Sequence, residues 1–396
     1  MEIDEILQII DVGLQNPVET WPSFFPRQTP LVVFDEERAA FLHHPNPPPG
    51  RPPELMAATA QEIGGVLTAT LPLWMCQRAE SLLPLVYHEC FHVYQDSGSF
   101  KPLDTGVDFS FHEGLVEYPE LNPTHRALCR AETRVLNDPL LSFPRKASLL
   151  AALNEQRLIL LTEKPLALTL IQMMERKEGT AFYIQQQVDF LLNQTAYPLV
   201  EVHLGYFRQY TLGAAVCHLL NQLESDWQRR IEAGASPSQI LAKCCNHAGI
   251  DLAELNLEAM IAEEKSKVEA IQEELRASLQ GPLTRIQVPK RGPQRGFNPR
   301  SVRSLGDRRL LHMDIYFLQG SFGTLQLKQG LLVEDFEHDQ IMFPAGEATF
   351  QDGCLEAETD AISIHLTGVT CIAENTYEIG TETVETLNLL KQHLHL

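Results

Sequence analysis

Residues 88–92 carry the clearest chemical signal in the sequence. They read His-Glu-Cys-Phe-His, so His88 and His92 stand four positions apart in an apolar segment of helical type. Four residues make about one helical turn, and both imidazoles therefore project from one face and can bind one cation. Imidazole nitrogen is a good ligand for Zn²⁺, and catalytic zinc sites keep one position for water. Glu89 can accept a proton from that water.

The alternative for this segment is a core helix that binds no metal and whose two histidines form hydrogen bonds within the protein. The flanking residues favour a buried metal site, because the polar triplet would be drawn into an apolar wall. The apolar residues that flank it are Leu82, Leu83, Leu85, Val86 and Val93.

The motif resembles the HExxH zinc metallopeptidases, the zincins. That resemblance implies a zincin-like domain in which Zn²⁺ is bound by His88, His92 and a third ligand from a later helix. It also implies an edge strand beside the cleft, for which residues 66–71 are the candidate. The metzincin pattern is excluded, because the positions where it needs Gly and His hold Gln95 and Gly98. The gluzincin pattern, with a glutamate as third ligand, fits better.

Several acidic residues compete for the role of third ligand. Glu178 is preferred, because the segment 175–183 resembles the gluzincin signature and small residues after it permit close helix packing. Glu175 is expected on the same helix face, one turn earlier. Glu132 stands among arginines, and its alternative is an ion pair on a helix surface. The other candidates are Glu113, in a segment that Pro119 ends, and the aspartates Asp104 and Asp108.

Amide hydrolysis also needs a donor for the oxyanion that develops on the carbonyl. Tyr210, three residues before Gly213, resembles such a donor on a helix that follows the ligand helix; its alternative is a core tyrosine. Gln95 lies one turn after His92 and is equally suited to a hydrogen bond in the cleft or to a structural role. These residues together predict a zinc-dependent hydrolase that cleaves peptide bonds, with Glu89 as general base and a peptide or protein as substrate.

Two rival functions use the same histidines. One is a non-catalytic zinc-binding scaffold or interaction protein on a peptidase-like fold. The other is a structural zinc site with four protein ligands, closed by a cysteine. The presence of Glu89 argues against the scaffold, since a purely structural zinc has no use for it, whereas a metal analysis that counts open ligand positions decides the four-ligand site.

Composition narrows the partners. Among the 396 residues, 31 are Lys or Arg and 52 are Asp or Glu, which gives a net charge of −21. Such a balance argues against nucleic acid and against anionic membranes as partners. The acidic amino terminus lacks the pattern of a signal peptide, and the eight cysteines form no C-x-x-C pair. We therefore expect reduced cysteines and a cytoplasmic location.

The order of elements predicts an α+β chain with two domains. A mainly helical zincin-like domain with a short amino-terminal sheet is expected over 1–285, and a small antiparallel β domain over 286–396. Helices fill 81–280; the first is expected to have Ser81 as N-cap and Pro84 in its first turn, and another begins at Asn122-Pro123. A basic segment, 285–309, is expected to be a solvated linker. The predicted β domain has strands at 313–318, 324–328, 331–334, 340–343 and 361–366, and a short helix from about residue 382.

Overall fold

A computed structural model gives the chain a mixed α+β architecture, which confirms the predicted fold class at that level. Its internal contacts distinguish two units, Met1–Phe109 with Ala127–Glu258, and Ser110–Arg126 with Ala259–Leu396. The predicted domain boundary at residue 285 stays a prediction. The structure describes residues 2–52, 55, 57–103, 105–109, 111–195, 200, 205–245, 250–280, 283–287, 294–305, 308–320, 323–328, 331–335, 340–344, 348–358, 362–373 and 376–379.

Helices dominate up to residue 280 and strands dominate beyond it. The helices are α1 (Ile3–Leu14), α2 (Ala79–Tyr94), α3 (Phe111–Glu117), α4 (Pro123–Asn137), α5 (Phe143–Leu160), α6 (Pro165–Met174), α7 (Thr180–Asn193), α8 (Arg208–Leu223), α9 (Trp227–Glu232), α10 (Pro237–Cys244) and α11 (Leu257–Gln280). The strands are β1 (Leu31–Phe34), β2 (Ala39–Leu42), β3 (Thr59–Ile63), β4 (Val66–Pro72), β5 (Leu283–Gln287), β6 (Gln294–Leu305), β7 (Arg308–Gly320), β8 (Gly323–Lys328), β9 (Leu331–Asp335), β10 (Gln340–Pro344), β11 (Thr349–Gln351), β12 (Cys354–Glu358), β13 (Ile362–Leu366), β14 (Val369–Ala373) and β15 (Thr376–Ile379).

The first unit contains a four-stranded sheet in the order β2-β1-β4-β3. β1 runs parallel to β4 and antiparallel to β2, while β3 and β4 form an antiparallel hairpin. The hairpin turns at Gly64 and Gly65, whose φ angles of 55° and 78° suit a two-residue turn. The prediction of residues 66–71 as the edge strand is wrong, because β4 is paired on both sides. The edge strands are β2 and β3, and β3 is a largely polar strand that hydrophobic patterning missed.

Helix α2 carries the His-Glu-x-x-His motif and packs against α7 and β4. It begins at Ala79, so Pro84 lies in the second turn rather than in the first, as predicted from the sequence. Proline has no N–H for the carbonyl four residues earlier, which here belongs to Glu80. Asn193, at the end of α7, donates from Nδ2 to this carbonyl at 2.8 Å. A side chain from α7 thus replaces the missing backbone bond and fixes the two helices together.

Aromatic side chains pack around the carboxyl-terminal half of α2. The ring of Trp21 lies edge-on to Phe91, with centroids 5.0 Å apart, and to Trp227, at 5.2 Å. The indole N–H of Trp21 and the hydroxyl of Tyr94 both donate to Oε1 of Glu232, at 2.9 and 2.7 Å. These contacts hold the end of α2, from which the second histidine of the motif projects, against α9.

Within the predicted helical region 81–280, the stretch 166–192 is not one regular α-helix. α6 ends at Met174, a π-turn spans Glu175–Gly179, and α7 begins at Thr180. A π-turn holds one residue more than an α-turn and is frequent at functional sites. The extra residue turns α7 out of phase with α6, so residues on the two sides of it no longer share one face.

This π-turn touches α8 through backbone atoms. A Cβ atom on Gly213 would lie 2.8 Å from Cα of Gly179 and 3.0 Å from the carbonyl oxygen of Glu175. A Cβ atom on Gly179 would lie 2.7 Å from Cα of Gly213. The Cβ to Cα distances of 2.7 and 2.8 Å are shorter than packed atoms tolerate, so the approach of α8 to the π-turn requires glycine at both positions.

The second unit contains a larger, mostly antiparallel sheet. Its order is β11-β12-β13-β8-β7-β9-β10-β5-β15-β14, and β6 pairs with β7. β15 runs parallel to β5, so the predicted antiparallel character is wrong for this pair. The helix predicted from about residue 382 lies outside the described residues. The predicted strands at 313–318, 324–328, 331–334, 340–343 and, for its described residues, 361–366 are confirmed as parts of β7, β8, β9, β10 and β13.

The basic segment 285–309 is strand over most of its described residues, so the prediction of a linker is wrong there. It contributes to β5 and forms all of β6. β6 pairs with β7 from Gln294 opposite Gln319 to Leu305 opposite Arg308, so the hydrogen bonds of a long hairpin compensate for its few apolar residues. Charged side chains are common on strands paired on one side only, and they hide the strand from hydrophobic patterning.

The eight cysteines all have free thiols. In the part of the chain that the structure describes, none of the helices combines the length and the apolar composition needed to cross a membrane.

The glycine contact yields a stability prediction. Gly213→Ala normally favours a helix by about 1 kcal/mol, but here the new methyl group would collide with backbone. We expect the free energy of unfolding to fall by about 1–3 kcal/mol, the usual cost of overpacking, as measured by urea denaturation followed by circular dichroism. Gly13→Ala in α1 is the control, because its Cβ would meet only side-chain atoms of Leu83. Equal stability of both variants would contradict the backbone contact.

Candidate metal centre

The structure brings together the three predicted metal ligands in the first unit. Nε2 of His92 lies 3.1 Å from Nε2 of His88 and 3.2 Å from Oε2 of Glu178. Nε2 of His88 lies 3.8 Å from the same oxygen. Ligand atoms about 2.0–2.1 Å from a tetrahedral zinc ion lie about 3.3–3.4 Å apart, and the point equidistant from these three atoms is about 2.0 Å from each. The donor types and their spacing therefore fit Zn²⁺.

The cluster is enclosed and electrostatically coupled. His88 and His92 are 7% and 4% exposed. Burial acts to lower the pKa of His92, but the Glu178 carboxylate outweighs it and raises that pKa to about 9. Burial likewise acts to raise the pKa of Glu178, but His92 and His88 hold it well below its usual value. Glu178 thus keeps the negative charge that a carboxylate needs in order to bind a cation.

Glu89 lies next to this cluster and is 4% exposed. Among the described residues, its Oε2 has no hydrogen-bond partner. Burial raises the pKa of Glu89, while the imidazoles of His88 and His92 oppose the shift. A carboxylate with a raised pKa and an unpaired oxygen is equipped to accept a proton.

Gln95 joins His92 to the π-turn. Its Nε2 donates to the carbonyl oxygen of Lys177 and to Oγ1 of Thr180, both at 2.9 Å. Because a carbonyl oxygen only accepts, this end of the amide must be the NH₂ group and the other end the oxygen. That oxygen lies 2.8 Å from Nδ1 of His92 and accepts the proton there. In the neutral imidazole that metal binding requires, the lone pair therefore lies on Nε2 of His92, the nitrogen that faces the cluster.

Two π-turns make this link possible. The first, Gln95–Ser99, follows α2 directly and leaves helical geometry at Gly98, whose φ is 90°; the second carries Glu178. A π-turn displaces the helical hydrogen-bond ladder by one residue. The displacement leaves the carbonyl oxygens of Arg176 and Lys177 accessible to the Gln95 amide, at 3.4 and 2.9 Å. The same irregularity thus presents the third ligand and fixes the second histidine.

Tyr210, the predicted oxyanion donor, lies on α8 beside the cluster. Burial, together with the charge of the Glu178 carboxylate, raises the pKa of Tyr210 well above its usual value. The phenol is therefore neutral at physiological pH and carries a proton that it can donate. Burial and the charge of Glu178 also raise the pKa of Tyr206, which lies one turn earlier and is 5% exposed. The charge of Glu178 thus acts on two neutral phenols, those of Tyr206 and Tyr210.

Glu132, an alternative third ligand, is committed elsewhere. Its Oε2 accepts from Nη2 of Arg157 and of Arg208, at 2.7 and 3.0 Å, and its Oε1 accepts from Nη1 of Arg157 at 2.5 Å. Glu132 is only 2% exposed, so the predicted surface ion pair is wrong as well. Burial acts to raise its pKa, but the two guanidinium groups hold it below its usual value. This buried network anchors the start of α8, two residues before Tyr210.

The other acidic candidates do not join the described cluster. Glu175 is fully buried and points at α10, where its carboxylate accepts from Oγ and from the backbone N–H of Ser238, at 2.5 and 3.3 Å. The expected common face with Glu178 is wrong, because both residues lie within the π-turn, which departs from the α-helical repeat; Glu175 faces Ser238, whereas Glu178 faces His92. Asp108 is exposed and outside the cluster. Asp104 and the side chain of Glu113 lie outside the described residues.

Comparison of the chain with protein-family models, with curated proteins and with solved structures returns no match. The resemblance to zinc metallopeptidases therefore stays a prediction that depends on the motif and on the cluster. Sequence reasoning left the role of Gln95 open and missed its partner Thr180. The only available signals were the three-residue step from His92 to Gln95 and the pair Gly179-Thr180 after the third ligand.

Removing the Gln95 amide tests the orientation of His92. In Gln95→Leu the imidazole loses the acceptor that fixes its tautomer, so we expect zinc affinity to fall by about 10–100-fold. A competition titration against a chromophoric chelator measures this. Gln8→Leu, on an exposed position of α1, is the control. Unchanged affinity in Gln95→Leu would show that the amide does not hold the ligand.

Glu175 yields a pH prediction. Burial raises the pKa of Glu175 to about 7, although Ser238, Arg157 and their hydrogen bonds and charge oppose it. Between about pH 4.5 and 7 the folded state therefore binds more protons than the unfolded state, and its stability falls as pH rises. Glu175→Gln removes this loss. We expect the stability of the variant relative to the parent to rise by about 2–3 kcal/mol between pH 5 and pH 8.

Urea denaturation at pH 5 and pH 8 measures this difference. Asp226→Asn, which removes one exposed negative charge, is the control. A difference between Glu175→Gln and the parent that does not change with pH would contradict the raised pKa.

Proposed function

We propose that the protein is a zinc-dependent hydrolase that cleaves peptide bonds. One observation carries the proposal: an unpaired, buried oxygen of Glu89 lies beside three ligand atoms whose spacing fits Zn²⁺. An unpaired buried carboxylate is costly for a fold, and a structural zinc site gains nothing from it. A general base next to a metal-binding triangle uses this feature directly.

When bound, Zn²⁺ would polarise a carbonyl and lower the pKa of a water in its fourth position. Glu89 accepts a proton from that water and later donates it to the leaving amine, two tasks that suit its raised pKa. Gln95 keeps the Nε2 lone pair of His92 directed at the ion. Glu178 supplies the one negative charge of the ligand set. A bound Zn²⁺ would therefore keep a net positive charge, which would draw electron density from the substrate carbonyl.

Tyr210 is proposed as the donor to the oxyanion. Its phenol lies next to Glu178 and is kept neutral, so it has a proton to offer. A donor placed beforehand at the position where charge develops stabilises the transition state without reorganisation. The short path from Gly213 to Tyr210 along α8 means that the glycine contact also sets the position of this phenol.

The zincin-like identity of the fold and the choice of a peptide substrate belong to this proposal. They follow from the resemblance of the motif, and the described cluster supports them through its histidine, histidine and glutamate donor set. Among the described residues no cysteine joins the set, which leaves room for water as the fourth ligand.

Glu89→Gln separates catalysis from metal binding. The variant keeps the shape of the side chain and the zinc ligands but loses the base, so we expect zinc content equal to that of the parent and turnover lower by about 10²–10⁴-fold. The assay is digestion of a mixed peptide library by the zinc-loaded protein, with new termini counted by mass spectrometry. Glu80→Gln, at an exposed position of the same helix, is the matched control and is expected to cleave like the parent.

The same assay decides between the rival functions. Zinc bound by both parent and Glu89→Gln, with no cleavage by either, would favour the non-catalytic scaffold. A protein that binds no transition metal after purification and after zinc addition would overturn both.

A further inference from the structure

A cavity lies in the first unit beside Gln95, and none of the three metal ligands lines it. Its volume is about 270 Å³, and Gln95 and the π-turn form part of its wall. Because Nδ1 of His92 faces Gln95 while Nε2 faces the cluster, this cavity is separate from the position of the reacting carbonyl. Phe100, Leu103 and Met173 supply apolar wall, and none of the proposed catalytic residues lines it.

Arg176 lines this cavity and has no carboxylate partner among the described residues. It is 7% exposed, and its guanidinium stacks over Phe100, 4.9 Å from the ring centroid. Its Nε donates to the carbonyl of Ile231 at 3.0 Å and its Nη2 to that of Glu232 at 3.5 Å. Both partners are neutral, and no carboxylate among the described residues pairs with this buried cation. A buried charge without a counter-ion is unfavourable unless something else supplies the opposite charge.

The other charges around the cavity do not supply it. Lys177 lies on the wall and is paired with Asp96 at 3.0 Å. Lys101 adds an exposed ammonium group that forms no ion pair with a carboxylate among the described residues. The cavity is therefore cationic in a chain whose net charge is −21. This local excess marks a site that attracts anions rather than a solvated charged surface.

We propose that this cavity binds a small organic carboxylate, with its charged group on Arg176 and its hydrocarbon part against Phe100, Leu103 and Met173. Guanidinium groups match the planar geometry of a carboxylate, and two of the Arg176 nitrogens are already oriented by backbone carbonyls. The apolar walls favour an acid with an aliphatic body over inorganic phosphate, which would leave them in contact with its water shell. The source is a free acid or the carboxyl terminus of a peptide.

Binding in this cavity reaches the metal centre through Gln95. The same amide lines the cavity and accepts the proton of His92, and Lys177 directly precedes the third ligand. Where one ligand changes the affinity for another, the second changes the affinity for the first by the same factor. The carboxylate and the metal are thus expected to be coupled, although neither requires hydrolysis in order to bind.

Isothermal titration calorimetry of the full chain carrying Glu89→Gln tests the site without turnover, so its outcome is independent of the proposed hydrolysis. The probes are isocaproate and its neutral analogue isocaproamide. We expect the acid to bind at least about tenfold more tightly than the amide, because only the acid makes a charge-assisted hydrogen bond to Arg176. Arg176→Gln is expected to weaken the acid by at least about tenfold. Lys101→Glu changes an exposed position that the fold does not need, and a loss of about threefold or more is expected there.

Lys164→Glu, at the opposite end of α6, makes the same change of charge away from the cavity and is expected to bind isocaproate like the parent. Equal binding of acid and amide, tighter binding of inorganic phosphate than of isocaproate, or a Lys101→Glu variant that binds like Lys164→Glu would each overturn the proposal. A peptide ending in a free leucine carboxylate that displaces isocaproate, while its amidated form does not, supports the peptide terminus as the source. Isocaproate binding without such displacement supports the free acid.

Discussion

The hydrogen bonds of one amide group set the chemistry of the site. Gln95 donates to the carbonyls of the second π-turn and accepts from His92, so it fixes which imidazole nitrogen carries the proton. The carbonyl oxygens determine the orientation of the amide, because they cannot donate, whereas an imidazole nitrogen can either donate or accept. The position of Glu178 and the tautomer of His92 therefore depend on the same hydrogen bonds of Gln95. This dependence makes an irregular helix, rather than a regular one, the element on which the metal centre is built.

Part of this site was accessible from the sequence. The step of four residues from His88 to His92 is a local property of a helix, and the geometry of the two imidazoles follows from it. Glu178 was reached by resemblance, and the structure places it with them. The burial of Glu132 was inaccessible, because the two arginines that bind it stand 25 and 76 positions away in the chain. Local charge pattern cannot tell a surface pair from a buried network.

The fold shows the same division between local and distant information. The start of α4 follows from Asn122, whose side chain accepts from the N–H of His125 at 3.0 Å, an interaction over three residues. The interruption of the helix at Glu175–Gly179 has no local cause of that kind, since it is compensated by Gln95 and by contact with α8. The strands β3 and β6 were also missed, because their stability lies in ladder hydrogen bonds to a partner rather than in apolar alternation. Interactions that span the sequence thus account for most of the wrong predictions.

The bare contact between Gly179 and Gly213 has a consequence for how this protein tolerates change. Main chain meets main chain there, so the separation of the two segments depends on no rotamer and on no side-chain volume. Residues elsewhere along α8 can vary in size and be absorbed by repacking, whereas no repacking makes space for a methyl group at either glycine. Evolutionary drift along this helix is therefore unevenly permitted, and directed evolution of a new specificity has most freedom on the walls that face away from the joint.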